Sequence, residues 1–98
     1  EEGVDNPYML FSQFVRHDRR RMIPAITHED GTCRLQTVSD GPLAQLLQEM
    51  WNLCGVPVLL NTSFNDNGMP IVETPEDAVK AYMSMDIDAL VLGNELIY

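Results

Sequence analysis

A chain of 98 residues suits one small domain with little spare stability. Its formal net charge of −9 argues against phosphate-backbone binding as the main task. Apolar content of 45% is ordinary for a globular protein, and no segment approaches the roughly 18 apolar residues of a membrane span.

Charge distribution says more than the sum. Five of the six basic residues fall between Arg16 and Arg34, which leaves Lys80 as the only later cation. An acidic chain that gathers its positive charge in one stretch is equipped for one anion, although Arg19-Arg20-Arg21 also reads as a solvated run. The opening Glu1-Glu2-Gly3-Val4-Asp5 has no initiator Met, basic start or apolar core, so no signal peptide is expected. The chain reads as an excised piece of a larger protein, with the cytoplasm as the expected compartment. Cys33 and Cys54 form no C-x-x-C pair, and His17 and His28 do not complete a zinc pattern, so buried or incidental thiols are expected, with one disulfide between them as the alternative.

In chain order, the aromatic-rich run from Tyr8 to Val15 predicts a strand. Met22–His28 and Thr32–Val38 predict two more, joined by a tight turn at Glu29-Asp30-Gly31. On the second of these, Cys33, Leu35 and Thr37 share one face, while Arg34 projects from the other on a fixed strand. Ser39-Asp40-Gly41 with Pro42 predicts a helix start. Leu43, Leu46, Leu47, Met50, Leu53 and Cys54 then form an apolar stripe, and Gly55 ends the helix. Gln48, Glu49 and Asn52 fall on its wet side, and Trp51 beside the stripe is expected to pack.

Val56–Leu60 predicts a strand buried on both faces, followed abruptly by the polar Asn61–Gly68. Such a loop at the carboxyl end of a buried strand is a ligand position in open α/β sheets, but equally a plain turn. Met69–Glu73 is a short strand candidate. Thr74-Pro75-Glu76-Asp77 is a compact helix start, with Ala78, Val79, Tyr82 and Met85 facing inward. Asp88–Leu92 predicts a last buried strand, turned back by Gly93-Asn94 into Leu96-Ile97-Tyr98. One mixed α/β domain over residues 1–98 is the expected architecture.

Routine catalytic signatures are missing. There is no G-x-G-x-x-G, no phosphate loop and no G-x-S-x-G around Ser63. His28-Glu29-Asp30 reads as turn chemistry before metal binding. One constellation remains: a strand arginine, Arg34, then a helix, then Gly55-Val56-Pro57 leading through Val58-Leu59-Leu60 to Asn61-Thr62-Ser63-Phe64-Asn65. Arginine presents a planar fork to phosphate or carboxylate oxygens, Ser and Thr hydroxyls donate to the remainder, and Asn holds ligand or loop.

The stretches Arg21–Val38, Gly55–Asn65, Pro70–Ala78 and Asp88–Gly93 together resemble the C-terminal region of the carbamoyltransferase family. That family includes enzymes that carbamoylate aminoglycoside, cephalosporin-type and nodulation-factor hydroxyls. The likeness runs from about Asn6 to the end. It implies a YrdC-like α/β fold, a twisted mixed sheet with helices packed on it, truncated here at its N-terminal side. It also implies a domain that takes carbamoyl phosphate and ATP, with magnesium, to carbamoyl-adenylate. A separate N-terminal, metal-bearing domain would then pass the carbamoyl group to an acceptor hydroxyl. The family's matching arginine and Ser-x-Asn elements fall on Arg34 and on Ser63 and Asn65, with Thr62 as a weaker contact. Arg34 and Ser63 are the implied catalytic residues, and no metal site is implied within this chain.

The family's Lys-x-Arg element has no counterpart here, because Lys80-Ala81-Tyr82 is not that motif. The chain alone is therefore expected to fold at least partly, to be inactive and to bind nucleotide weakly. Other readings are a non-catalytic docking module, a threonylcarbamoyl-adenylate synthase-like domain and an RNA-binding module. The acidic balance opposes the last, and neither nucleic acid nor membrane is an expected partner.

Overall fold

The computed structural model describes residues 5–98; the reading of the chain's opening as no signal peptide falls largely on residues 1–4, outside that range. Two compact units result, Glu1–Leu60 and Asn61–Tyr98. Both carry helix and a two-stranded antiparallel sheet, so the mixed α/β class holds.

In the first unit, β1 (Ser12–Phe14) pairs with β2 (Thr32–Arg34), with Ser12 opposite Arg34, Gln13 opposite Cys33 and Phe14 opposite Thr32. Both strands are shorter than the sequence predicts. The expected strand Met22–His28 does not form: Met22 ends one 3-10 stretch, His17–Met22, and a second, Pro24–Ile26, lies within the segment. Pro24 has no N–H for a ladder, and it opens the second stretch at a position that suits its fixed φ. Thr27 then closes the turn, its hydroxyl donating to Ile23 O at 2.8 Å.

The turn at Glu29-Asp30-Gly31 is present, but β2 finds its partner in β1. Gly31 N donates to His28 O at 2.9 Å, and His28 N to Thr32 O at 2.7 Å. Glycine suits this corner through its backbone: Gly31 has φ 82°, which other residues rarely adopt, whereas a Cβ there would meet only the movable end of Arg20, at 2.4 Å.

Helix α1 (Gly41–Cys54) follows with Pro42 in its first turn, and Gly55 ends it at φ 72°. Asp40 sits at the N-cap without a side-chain cap hydrogen bond. Gln48 and Asn52 are exposed and bonded to each other one turn apart at 3.2 Å. The apolar stripe is only partly sheltered: Leu47 and Met50 are half-buried, whereas Leu43, Leu46 and Leu53 remain exposed. Among the described residues of this unit, the buried apolar ones are Val15 and Cys33.

Val56–Leu60 does not form the expected strand. Its one backbone bond runs locally from Val58 N to Val56 O at 2.9 Å, across Pro57, and Leu59 and Leu60 are exposed. A strand buried on both faces needs hydrogen-bonding neighbours, and none of the described strands pairs with this segment.

The second unit begins with an irregular stretch. Met69–Glu73, expected as a strand, belongs to it; Val72 N donates to Phe64 O at 2.9 Å and Met69 N to Asp66 O at 2.9 Å. Helix α2 (Pro75–Ser84) starts as its sequence dictates, with Thr74 Oγ1 accepting from Asp77 N at 3.1 Å. Ala78 is buried, Val79 and Tyr82 are half-buried, and α2 packs on β3 (Leu90–Leu92). Strand β3 pairs with β4 (Glu95–Ile97) through the Gly93-Asn94 turn, Leu90 opposite Ile97 and Leu92 opposite Glu95. Only one face of β3 is covered. Leu90 is buried while Val91 is 70% exposed, against the expectation of a fully buried strand.

Candidate functional site

Arg34 stands where alternation on β2 predicts, exposed beside the buried Cys33. Its Nε donates to Met9 O at 3.3 Å. Among the described residues no carboxylate forms a salt bridge with it, so the guanidinium remains able to receive an oxyanion.

Arg16, Arg19 and Arg20 are engaged differently. Asp18 pairs with Arg16 at 3.0 Å and with Arg19 at 3.6 Å. Arg20 is half-buried, its Nε donating to Val15 O at 3.2 Å while the guanidinium covers Gly31. Arg20 is thus a structural clasp inside a run that sequence marks as solvated.

Thr62, Ser63 and Asn65 lie in the second unit. Thr62 and Ser63 are exposed, and their hydroxyls are suited to donate to a ligand. Asn65 is half-buried, and its amide nitrogen donates to Met69 O at 3.0 Å and to Asp66 O at 3.4 Å. That side chain holds the loop closed. A groove of about 400 Å³ in this unit is lined by Asn65, Asp66, Asp77 and Lys80, with Ile71 and Val72 among its apolar residues. Two carboxylates against one ammonium make it a poor seat for a bare phosphate.

A second groove, of about 380 Å³, belongs to the first unit and is lined by Arg16, Arg19, Trp51 and Val56-Pro57-Val58. Trp51 is 54% exposed there, where sequence predicts a packed side chain.

His28-Glu29-Asp30 performs turn chemistry. Asp30 Oδ1 accepts from Thr32 N at 2.9 Å and from the Thr32 hydroxyl at 2.6 Å. These bonds, the side-chain one first, hold the Asp30 carboxyl below its ordinary pKa. With its proton given to Asp30, the Thr32 hydroxyl accepts from His28 Nδ1 at 3.0 Å. Cys33 is buried, which raises its thiol pKa and makes it a weak nucleophile, whereas Cys54 is exposed. Among the described residues there is no group of three or more His, Cys, Asp or Glu side chains that could hold a metal ion.

Compared with known proteins, the sequence matches the family described as Carbamoyltransferase C-terminus over residues 1–98. The chain belongs to that family. It is 45% identical over 98 residues to nodulation protein NolNO of Sinorhizobium fredii, covering 93% of this chain and 14% of the relative. To nodulation protein NolO of Bradyrhizobium diazoefficiens it is 40% identical over 94 residues, covering 93% of this chain and 17% of the relative. Nodulation protein U of Rhizobium tropici is 44% identical over 69 residues, covering 67% of this chain and 12% of that protein. The chain thus spans well under a fifth of the length of these relatives.

For this carbamoyltransferase C-terminus, sequence reasoning overlooks one residue that the structure makes central. Asn6 is 1% exposed, the most buried polar residue described. Its Nδ2 donates to Phe11 O at 2.8 Å and Leu35 O at 3.1 Å, while its Oδ1 accepts from Leu10 N at 2.9 Å. Its backbone N donates to Thr37 Oγ1 at 2.8 Å, and its carbonyl accepts from Thr37 N at 3.1 Å. The available signal was an asparagine directly before a proline, Asn6-Pro7, ahead of an apolar run.

Proposed function

We propose that this chain is the part of an O-carbamoyltransferase that helps activate a carbamoyl group with ATP. Family membership over residues 1–98 is the observation that carries this reading. In this reading the chain contributes to a YrdC-like twisted sheet completed by other parts of a longer polypeptide. That polypeptide works in the cytoplasm, where a metal-bearing N-terminal domain delivers the carbamoyl group to an acceptor hydroxyl.

Carbamoyl phosphate loses its phosphate to water, leaving carbamate. A carbamate oxygen then bonds to the α-phosphorus of ATP as the bond to pyrophosphate breaks, giving carbamoyl-adenylate. Charge builds on phosphoryl oxygens throughout, so fixed cations and donors matter most. We assign Arg34 to an anionic carbamoyl or phosphate oxygen, and its exposure on β2 supports this. Ser63 donates to the same group, Thr62 makes a weaker contact, and Asn65 holds the loop that presents them. Magnesium would travel with ATP and supply charge neutralisation while held mainly by its phosphates.

Calorimetric titration of carbamoyl phosphate, then ATP, tests the proposal. It compares the 98-residue chain with a polypeptide extended upstream through the family's Lys-x-Arg element. Binding by the extended polypeptide, weak binding by the chain alone, and loss in Arg34→Ala are the expected results. Absence of binding by both folded proteins would leave the docking-module reading instead.

A further inference from the structure

Arg34 is only as well placed as the carbonyl that holds it, and that carbonyl belongs to an unusual residue. Met9 is the one non-glycine among the described residues with positive φ, at 57°. Such a conformation persists in a bulky side chain only when its surroundings impose it. Asn6 supplies those surroundings. Its carbonyl accepts from Met9 N at 3.5 Å, its Oδ1 takes Leu10 N, and its Nδ2 ties down Phe11 O. The loop is thereby gripped at Met9, Leu10 and Phe11. The same Nδ2 also reaches Leu35 O, next to Arg34 along the chain. A single buried amide therefore fixes both the backbone beyond β2 and the loop carbonyl on which Arg34 Nε rests at 3.3 Å.

We propose that Asn6 is a positioning residue for Arg34, setting the guanidinium through the Met9 carbonyl and the Leu35 backbone without touching substrate. This rests on the assignment of Arg34 to carbamoyl activation. Only a side chain with both an amide donor and an acceptor can make these bonds. Aspartate would lose both donor contacts and bury a charge. Alanine would leave Leu10 N, Phe11 O and Leu35 O without their partner.

The test is a double-mutant cycle in a polypeptide of full family length, read as kcat/KM for carbamoyl phosphate in ATP–pyrophosphate exchange. Arg34→Ala is expected to lower kcat/KM about 10- to 100-fold. A guanidinium displaced by up to 1 Å can cost a comparable factor, up to about a hundredfold, and this is the loss expected of Asn6→Ala. Because Asn6 acts through Arg34, the double variant should be no worse than Arg34→Ala alone. Losses that multiply would overturn the proposal and mark Asn6 as merely structural. If Asn6→Ala fails to fold, Asn6→Ser replaces it in the cycle. A serine hydroxyl keeps one donor and acceptor at this position but cannot serve Leu10 N, Phe11 O and Leu35 O together, so kcat/KM should fall, again without further effect once Arg34 is gone. An unchanged kcat/KM in a folded Asn6→Ser enzyme would also overturn it. An unchanged rate in Arg34→Ala would instead remove the assignment on which the proposal stands.

Discussion

At the scale of single residues, the chain separates groups held by hydrogen bonds from groups left available. Arg34 is exposed, with one side-chain bond to Met9 O and no carboxylate partner among the described residues. Losing a charge-assisted contact costs about 1.5–3 kcal/mol, so under the proposed assignment Arg34→Ala is expected to weaken carbamoyl activation by at least tenfold. Arg34→Lys should not restore it, because an ammonium cannot hold the Met9 carbonyl and present a planar fork together. Wild-type kinetics in an Arg34→Lys enzyme would remove the assignment. Asp30 makes a separate prediction. Its folded pKa lies below the ordinary 3.8 because Thr32 donates to the carboxylate from hydroxyl and backbone. The stabilisation of the 28–32 turn is therefore complete above the unfolded value and is lost as pH falls through the folded one. Carboxyl chemical shifts followed by NMR should give an Asp30 midpoint below 3.8, with the Thr32 amide moving in step. A midpoint at or above that value would contradict the bonding described.

At the scale of elements, the helices and the places of the paired strands were legible in the sequence, whereas the expected strands Met22–His28, Val56–Leu60 and Met69–Glu73 did not form. Thr74 caps α2 and Gly55 terminates α1 because caps are chemical instructions confined to one turn of chain. Thr74→Ala should therefore destabilise α2 by about 1 kcal/mol, while Thr74→Ser keeps the acceptor and most of the stability. Faster amide exchange at Asp77 in the alanine variant alone is the expected signature. Equal exchange in both variants would mean that the cap contributes nothing. Strand pairing is decided by distant partners, and here local patterning misled. Met22–His28 carries a strand-like composition, but Pro24 and the Thr27 hydroxyl commit it to 3-10 turns. Val56–Leu60 has the apolar run of a central strand without a described neighbour to pair with. The candidate site divides in the same way. Arg34 was found by period-2 alternation and the hydroxyls of Thr62 and Ser63 by their abrupt polarity. Asn6 escaped because its partners include Leu35 and Thr37, 29 and 31 positions away.

At the scale of the whole molecule, the balance of covered and uncovered apolar surface sets the last prediction. Among the described residues, the buried apolar ones are Val15 and Cys33 in the first unit and Ala78 and Leu90 in the second. Against these stand Leu43, Leu46, Leu53 and Leu60 exposed in the first unit, and Met69, Ile71, Met83 and Val91 in the second. Domains this small are marginal even with a complete core, since burial must offset roughly 1–2 kcal/mol of backbone entropy per ordered residue. Exposed apolar surface on that scale also drives association. We therefore expect the chain alone to bind a hydrophobic dye, to self-associate at micromolar concentration and to melt over a broad range. The longer relatives offer the natural remedy, because this chain covers only 14% of one and 17% of another. In a polypeptide of that length the same residues should melt cooperatively at higher temperature, with the dye response lost. Dye fluorescence, sedimentation and thermal melting of the two proteins side by side decide the matter. A monomeric chain with a sharp transition and no dye binding would show that its small cores suffice. The exposed leucines of α1 would then need a purpose other than packing against the rest of a carbamoyltransferase.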